Sequence, residues 1–323
     1  MNRFAFMGIA AILAASLLIA PASLWAQPYP NRPIQLVNPG NPGFMLDVSC
    51  RIIAEEMGKI LGTQMIVLNK PGASQTRGTD FVVRSKKDGY TLLYAGNTPL
   101  VNAPITNPKA VPYDPLKDLE PLGGQVIFPF TVNVREDSPW KTFKELADHA
   151  KKHPGELRVG SPGIGSTDNL NLGIVQSLTG AQFTHVPLSG TNASVQLLGG
   201  HIEVGFGPIT EVSAHVKAGK LRLLLVSTKL PQFPDVPTIT DLGYRQGLIY
   251  GWFAFFAPAG IPEEGKKILV PALEKAVNNP EVKTKVEKLE FFVRYLSPAD
   301  LRKSWSEEFE RTKALAAQMG IAK

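Results

Sequence analysis

Leu157-Arg158-Val159-Gly160-Ser161-Pro162-Gly163-Ile164-Gly165-Ser166-Thr167-Asp168 reads as a short apolar strand that enters a glycine-rich turn and then a helix. The glycines let the backbone turn sharply, and the hydroxyls of Ser166 and Thr167 can cap the helix, which continues to residue 178. Residues 34–61 repeat the device, with Ile34-Gln35-Leu36-Val37 as strand, a glycine-containing turn, and a helix over 47–61. Such a turn leaves N–H groups at the positive end of a helix, which suits a carboxylate or another anion. One copy is commonplace in an α/β chain. Two copies, in separate halves, point to a ligand gripped from both sides.

The first helix carries Val48, Ile52, Ile53, Met57, Ile60 and Leu61 near one face, Asp47 where an N-cap belongs and Gly62 where a C′ residue belongs. A strand at 64–68, a helix at 79–85 and a strand at 90–94 continue the alternation, which predicts a parallel sheet. Strands at 130–134, 157–160, 183–186, 204–206 and 221–226 alternate with helices at 143–151, 167–178, 193–198 and 212–217. The tail returns to helices at 263–278 and 298–319, the second behind a Ser297-Pro298-Ala299-Asp300 capping pattern. With 323 residues the chain exceeds what one core organises, so two lobes are expected. Residues 27–127 with 251–323 form the first and 128–250 the second, so the chain crosses twice and leaves a hinged cleft.

Met1-Asn2-Arg3, the apolar run from Phe4 to Ala20 and the small residues around Ala22 and Ala26 read as a signal peptide over residues 1–26, hence export to the periplasm. The lone Cys50 excludes an internal disulfide and is expected to be a buried apolar residue. A formal charge of +6 favours anionic solutes only weakly, and the sequence lacks the basic stripes, RNP patterns and zinc spacings of nucleic-acid binders. Val159-Gly160-Ser161-Pro162-Gly163 misses a nucleophile elbow, because valine stands where the first glycine belongs. His149, His153, His185, His201 and His215 show no metal-protease spacing, with His149 and His153 read as a solvated helix face and His185 as a sheet-end histidine or a ligand contact. A secreted hydrolase is therefore the weaker reading, and no catalytic residue, metal or cofactor is expected.

Tyr29-Pro30-Asn31-Arg32-Pro33-Ile34, Asn69-Lys70-Pro71-Gly72-Ala73, Asp88-Gly89-Tyr90-Thr91-Leu92-Leu93, Pro112-Tyr113-Asp114-Pro115-Leu116-Lys117-Asp118, Gly199-Gly200-His201-Ile202-Glu203 and Phe256-Ala257-Pro258-Ala259-Gly260 resemble, in order, signature segments of the tripartite tricarboxylate transporter solute receptors, the Bug or TctC family. The resemblance implies a type II periplasmic binding-protein fold whose lobes close on a small carboxylate, held through backbone N–H groups, hydroxyls and waters. It implies a monomer that hands its cargo to membrane permease subunits, or reports it to a membrane sensor. The first turn then contributes Gly43, Phe44, Met45 and Asp47. The second contributes Ser161, Gly165, Ser166 and Thr167, and Asn97, Thr98, Ser189, Gly190 and Pro208 complete the candidate set. Asp47 reads equally as a plain helix cap.

Departures from the family pattern bear on the solute. Gly43-Phe44-Met45-Leu46 replaces paired glycines and a threonine, and Ala73-Ser74-Gln75-Thr76-Arg77 replaces a glycine-rich run. Pro187-Leu188-Ser189-Gly190 lacks the usual tyrosine and lysine, and Gly205-Phe206-Gly207-Pro208 lacks a usual aspartate. Arg77 reads either as a forked carboxylate partner or as a solvated surface arginine. The changes remove polar groups and add apolar ones, so the expected ligand has a hydrophobic or aromatic body and at least one carboxylate, terephthalate being one example. The alternative is that Phe44 and Met45 pack into the lobe.

Overall fold

The computed structural model describes residues 29–188 and 192–321. The signal-peptide reading of 1–26 lies outside these residues, as do Ser189 and Gly190. The first series is β1 (Ile34–Asn38), α1 (Met45–Leu61), β2 (Met65–Asn69), α2 (Thr76–Val83) and β3 (Thr91–Gly96), followed by a π-helical turn at Thr98–Asn102 and the long strand β4 (Leu119–Phe128). The second runs β5 (Phe130–Arg135), α3 (Phe143–Lys152), β6 (Arg158–Ser161), α4 (Thr167–Thr179), β7 (Thr184–Pro187), α5 (Ala193–Leu198), β8 (Val204–Pro208), α6 (Ile209–Lys217) and β9 (Leu221–Val226). The tail adds β10 (Gly251–Pro258), α7 (Glu263–Asn278), α8 (Pro280–Glu287), β11 (Phe292–Leu296) and α9 (Pro298–Gln318).

These elements form two sheets of like plan, ordered β11-β4-β10-β3-β1-β2 and β7-β6-β8-β5-β9. In each, three strands are parallel, with the first in sequence flanked by the other two: β1 between β2 and β3, β6 between β7 and β8. An antiparallel strand then closes on the third, β10 on β3 and β5 on β8. Both sheets are therefore mixed, a parallel set joined by antiparallel strands, as expected for a type II periplasmic binding-protein fold. In both lobes the repeated strand-turn-helix device starts from the strand where neighbours diverge, the place where open α/β sheets leave a crevice at the carboxyl ends of their strands.

The strands missing from the sequence pattern are β4, β10 and β11. All eight residues of β10 are buried, so it has no polar alternation to betray it, and β4 is interrupted by Pro121, Gly123 and Gly124 where its register against β10 shifts. Helix α2 begins three residues before the expected position and α1 two before. Gly62 ends α1 in the left-handed conformation, Ser297 caps α9 by accepting from the Asp300 N–H (3.2 Å), and Cys50 is fully buried, all as expected.

Apolar layers cover both faces of each sheet. Beneath the first lie Ile53, Met57, Phe255, Leu269 and Phe291, and above it Leu100, Phe256, Leu301 and Trp305. Helix α9 joins the two halves: Trp305 belongs to the first-lobe core, while Leu315 packs among the residues of the second. Within this apolar layer one carboxyl group is buried. Glu308 accepts from the Trp252 indole N–H (2.7 Å) and from the Asn97 amide, whose own oxygen accepts from the Trp252 backbone N–H (3.0 Å). Burial pushes the Glu308 carboxyl up to about 7, against the hydrogen bonds from Trp252 and Asn97. A folded-state value above the unfolded value means that the folded chain holds the proton longer, so stability falls as pH rises from about 4.5 to about 7. Denaturant titrations over that range should show a fall that shrinks in Glu308→Gln by about 3 kcal/mol; an identical pH profile in the variant would refute this assignment.

Candidate functional site

The two turns have the same local construction. Gly43 and Gly165 each stand two residues before the first helical residue, with φ of 79° and 80°. In each case the third helical residue reaches back to the glycine N–H: Asp47 Oδ2 accepts from Gly43 (2.9 Å) and Asn169 Oδ1 accepts from Gly165 (3.1 Å). The helices begin differently otherwise. Ser166 caps α4 through its hydroxyl, which accepts from the Asn169 N–H (3.2 Å), whereas Phe44 occupies the cap position of α1 and contributes no side-chain bond.

Asp47 is therefore not the cap that its position suggested but a buried anchor. Its Oδ1 accepts from Asn38 (3.1 Å) and Asn69 (2.8 Å), and its Oδ2 from Gly43 and Arg51 Nε (3.0 Å). Burial raises the Asp47 carboxyl, but the Arg51 guanidinium, the Gly43 N–H and the Asn69 amide outweigh it and hold the group down at about 2. With every lone pair engaged inside the lobe, Asp47 has nothing left for a ligand.

Both turns line one cleft of about 1170 Å³ between the sheets. Phe44 and Met45 enter it from the first turn, Gly165, Ser166 and Thr167 from the second, and Asn97, Thr98 and Pro208 from the strand ends. The structure does not bring the remaining described candidates there. Gly43 lies behind Phe44, and Arg77 is exposed and folded over Gly72 outside the cleft wall. Ser161 is buried with its hydroxyl against His185 Nε2 (2.6 Å), which makes His185 a satisfied sheet-end histidine. Asn97 reaches the wall but spends its amide on Tyr250, Trp252 and Glu308. Thr167 accepts from Asn102 Nδ2 (3.0 Å), a buried bond between the lobes. Beside it Gly165 lies so close to Thr106 that a Cβ on the glycine would fall 2.6 Å from the Thr106 hydroxyl oxygen.

Two side chains stand out because they are apolar and unburied. Phe44 is 65% exposed and Ile164 is 70% exposed, one from each turn and both on the cleft wall. The departure from the family pattern at Phe44 marks the first in sequence, whereas Ile164 sits inside the quoted glycine run without a signal of its own. Among the described residues, the leading N–H groups of α1, from Met45, Leu46 and Asp47, meet no acceptor. The second turn is more self-contained, since Gly163, Gly165 and Ser166 all donate within it.

Ala73, Ser74 and Gln75 follow Gly72 with φ of 49°, 51° and 69°, so the segment keeps a left-handed path that glycine would take without strain. This accounts for the glycine-rich run expected here, and Ser74 and Gln75 line the cleft.

A two-lobed α/β molecule with an open cleft between matched helix-start turns is a ligand receptor of the binding-protein class. A family model described as the tripartite tricarboxylate transporter family receptor matches residues 49–321, and the chain belongs to that family. It is 34% identical to a Cupriavidus necator protein named for the gbd 5′ region, over 98% of this chain and 96% of that one. A TctC solute-binding protein from Polaromonas has TM-score 0.79 at 31% identity, covering 90% of this chain and 99% of that one. An R. palustris protein solved with adipate has TM-score 0.79 at 25% identity, over 91% and 99% of the two chains. Members of this family are solute-binding receptors and not enzymes.

Two outcomes follow for the turns. Asp47→Ala leaves four donors without their acceptor and should cost about 3 kcal/mol of unfolding free energy, read by urea denaturation; a loss under 1 kcal/mol would contradict the anchoring role. Ser74→Gly should raise stability by about 0.5–1 kcal/mol, because the left-handed penalty exceeds the added freedom of the unfolded chain; a destabilised variant would show that the segment is unstrained.

Proposed function

We propose that the chain is an exported, monomeric periplasmic receptor that captures a small carboxylate with an apolar body and delivers it to a tripartite tricarboxylate-type permease. Residues 1–26 act as the signal peptide, and the relatives solved as periplasmic binding proteins support that location. The moving bodies are residues 27–127 with 251–323 and residues 128–250. Ligands of this kind include aliphatic diacids such as adipate, found in a relative, and aromatic ones such as terephthalate.

The observation that carries this reading is the placement of Phe44 and Ile164 on two turns that line one cleft, both exposed, with the open N–H groups of α1 following Phe44. A carboxylate at that helix start meets the positive end of the peptide dipoles. A hydrocarbon body lying against the two side chains removes them from water on closure, and each fully buried side chain of this size stabilises the closed form by about 2 kcal/mol. The ligand need not create the closed form; its extra contacts there shift an existing equilibrium. A heavily hydroxylated acid gains little from that surface.

Calorimetry with terephthalate, adipate and citrate tests the assignment. The two apolar diacids should bind, and Phe44→Ser or Ile164→Ser should weaken each by roughly tenfold, as about 1.4 kcal/mol of lost contact requires. Binding of citrate alone, untouched by either substitution, would overturn the apolar reading.

A further inference from the structure

Among the described residues on the cleft wall there is no lysine, arginine or histidine. The ionisable groups there are two acids, Asp168 and Glu211, and both come from the second lobe. Asp168 is the second residue of α4, only 5% exposed, and its Oδ1 is buried without a hydrogen-bond partner. Glu211 follows on the first turn of α6, packed beside Gly207 of β8. The cleft is thus electrically lopsided: open N–H groups on the first lobe face unneutralised carboxyl groups on the second.

A carboxylate ligand closing against that wall meets either repulsion or a proton. Extending the receptor reading above, we infer that Asp168, with Glu211 beside it, is the subsite for the far carboxylate of a diacid, which it meets as a neutral carboxylic acid donating a hydrogen bond. The near carboxylate takes the N–H groups at the start of α1, the hydrocarbon spans Phe44 and Ile164, and the far carboxylate accepts from Asp168. Capture then fixes one proton between two oxygens, one from each partner, and no bond is broken.

The electrostatics agree with the geometry. Burial, reinforced by the neighbouring Glu211 charge, pushes Asp168 up to about 8, and burial pushes Glu211 up to about 7. Glu211 is the charged group that bears on Asp168; the other elements at this end of the cleft present Thr106 and Asn107, Asn192, Phe206, Pro208, and Gly320 and Ile321, none of them titratable. A group protonated in the bound state and titrating near 8 in the free state makes affinity full below that pH and progressively weaker above it. Terephthalate stays doubly ionised across this range, so the dependence belongs to the protein.

Terephthalate affinity measured from pH 6 to pH 9 should weaken by about tenfold for the wild type. Asp168→Asn, which keeps a donor but cannot ionise, should bind with a flatter profile, and adding Glu211→Gln should remove the remaining slope. A flat wild-type profile overturns the inference, as does an unchanged slope in Asp168→Asn. So does tighter binding of 4-(aminomethyl)benzoate that strengthens with pH, because the acids would then be serving a cation. If no acid of the panel binds, the receptor reading has failed on its own account. Carboxyl carbon-13 titration of the free protein then decides the proton on its own, where an Asp168 midpoint well above 6 upholds the protonated donor and one near 4 overturns it.

Discussion

The backward bond from the third helical residue to the glycine N–H organises everything around the cleft. In the first lobe Asp47 makes it and in the second Asn169 does. Each bond engages a turn donor and fixes a left-handed glycine, so the chain can pass from a strand end into a helix within a few residues. The side chains flanking these glycines, Phe44 after Gly43 and Ile164 before Gly165, stand exposed in a chain that buries most of its large apolar residues. Without that anchor the turn has enough freedom to bury the phenylalanine, and a preformed apolar wall would be lost.

The same device carries opposite charge in the two lobes. Asp47 is ionised but internally neutralised by Arg51, so the first turn presents helix N–H groups without an exposed acid. Asn169 is neutral, and the acid of the second lobe has moved one residue earlier to Asp168, where no cation among the described residues pairs with it. A one-residue shift along the helix start turns a buried anchor into a group facing the cleft, because neighbouring helical positions point about 100° apart. The lobes are alike in backbone and unlike in what they ask of a ligand.

The repeated turns were readable in the sequence because glycines, hydroxyls and an amphipathic helix have strong local signatures, and these decide where β1, β6, α1 and α4 lie. The residue types of Asn97 and Ser161 suit a ligand contact, but type does not reveal that Trp252, Glu308 or His185 already consumes the side chain. Those partners come from 155, 211 and 24 residues away, a separation no local pattern records. The same applies to β10, whose pairing on both sides is set by β3 and β4 rather than by its own alternation. Asp168 lay inside the quoted turn yet carried no signal, because an acid near a helix start ordinarily reads as a favourable dipole contact.

Closure must also respect the contacts the lobes already make. Asn102 donates to Thr167 in a buried bond, Gly165 rests on Thr106, and Glu290 of the first lobe accepts from Ser213 (3.0 Å), Lys217 (2.7 Å) and Gln232 (2.9 Å) of the second. A bond such as Asn102 to Thr167 lends the near state about 1 kcal/mol before any ligand arrives. A ligand therefore need not supply the whole difference between open and closed forms. On the proposed reading its specificity resides in the added terms, the apolar wall and the carboxyl at Asp168, since those distinguish one acid from another.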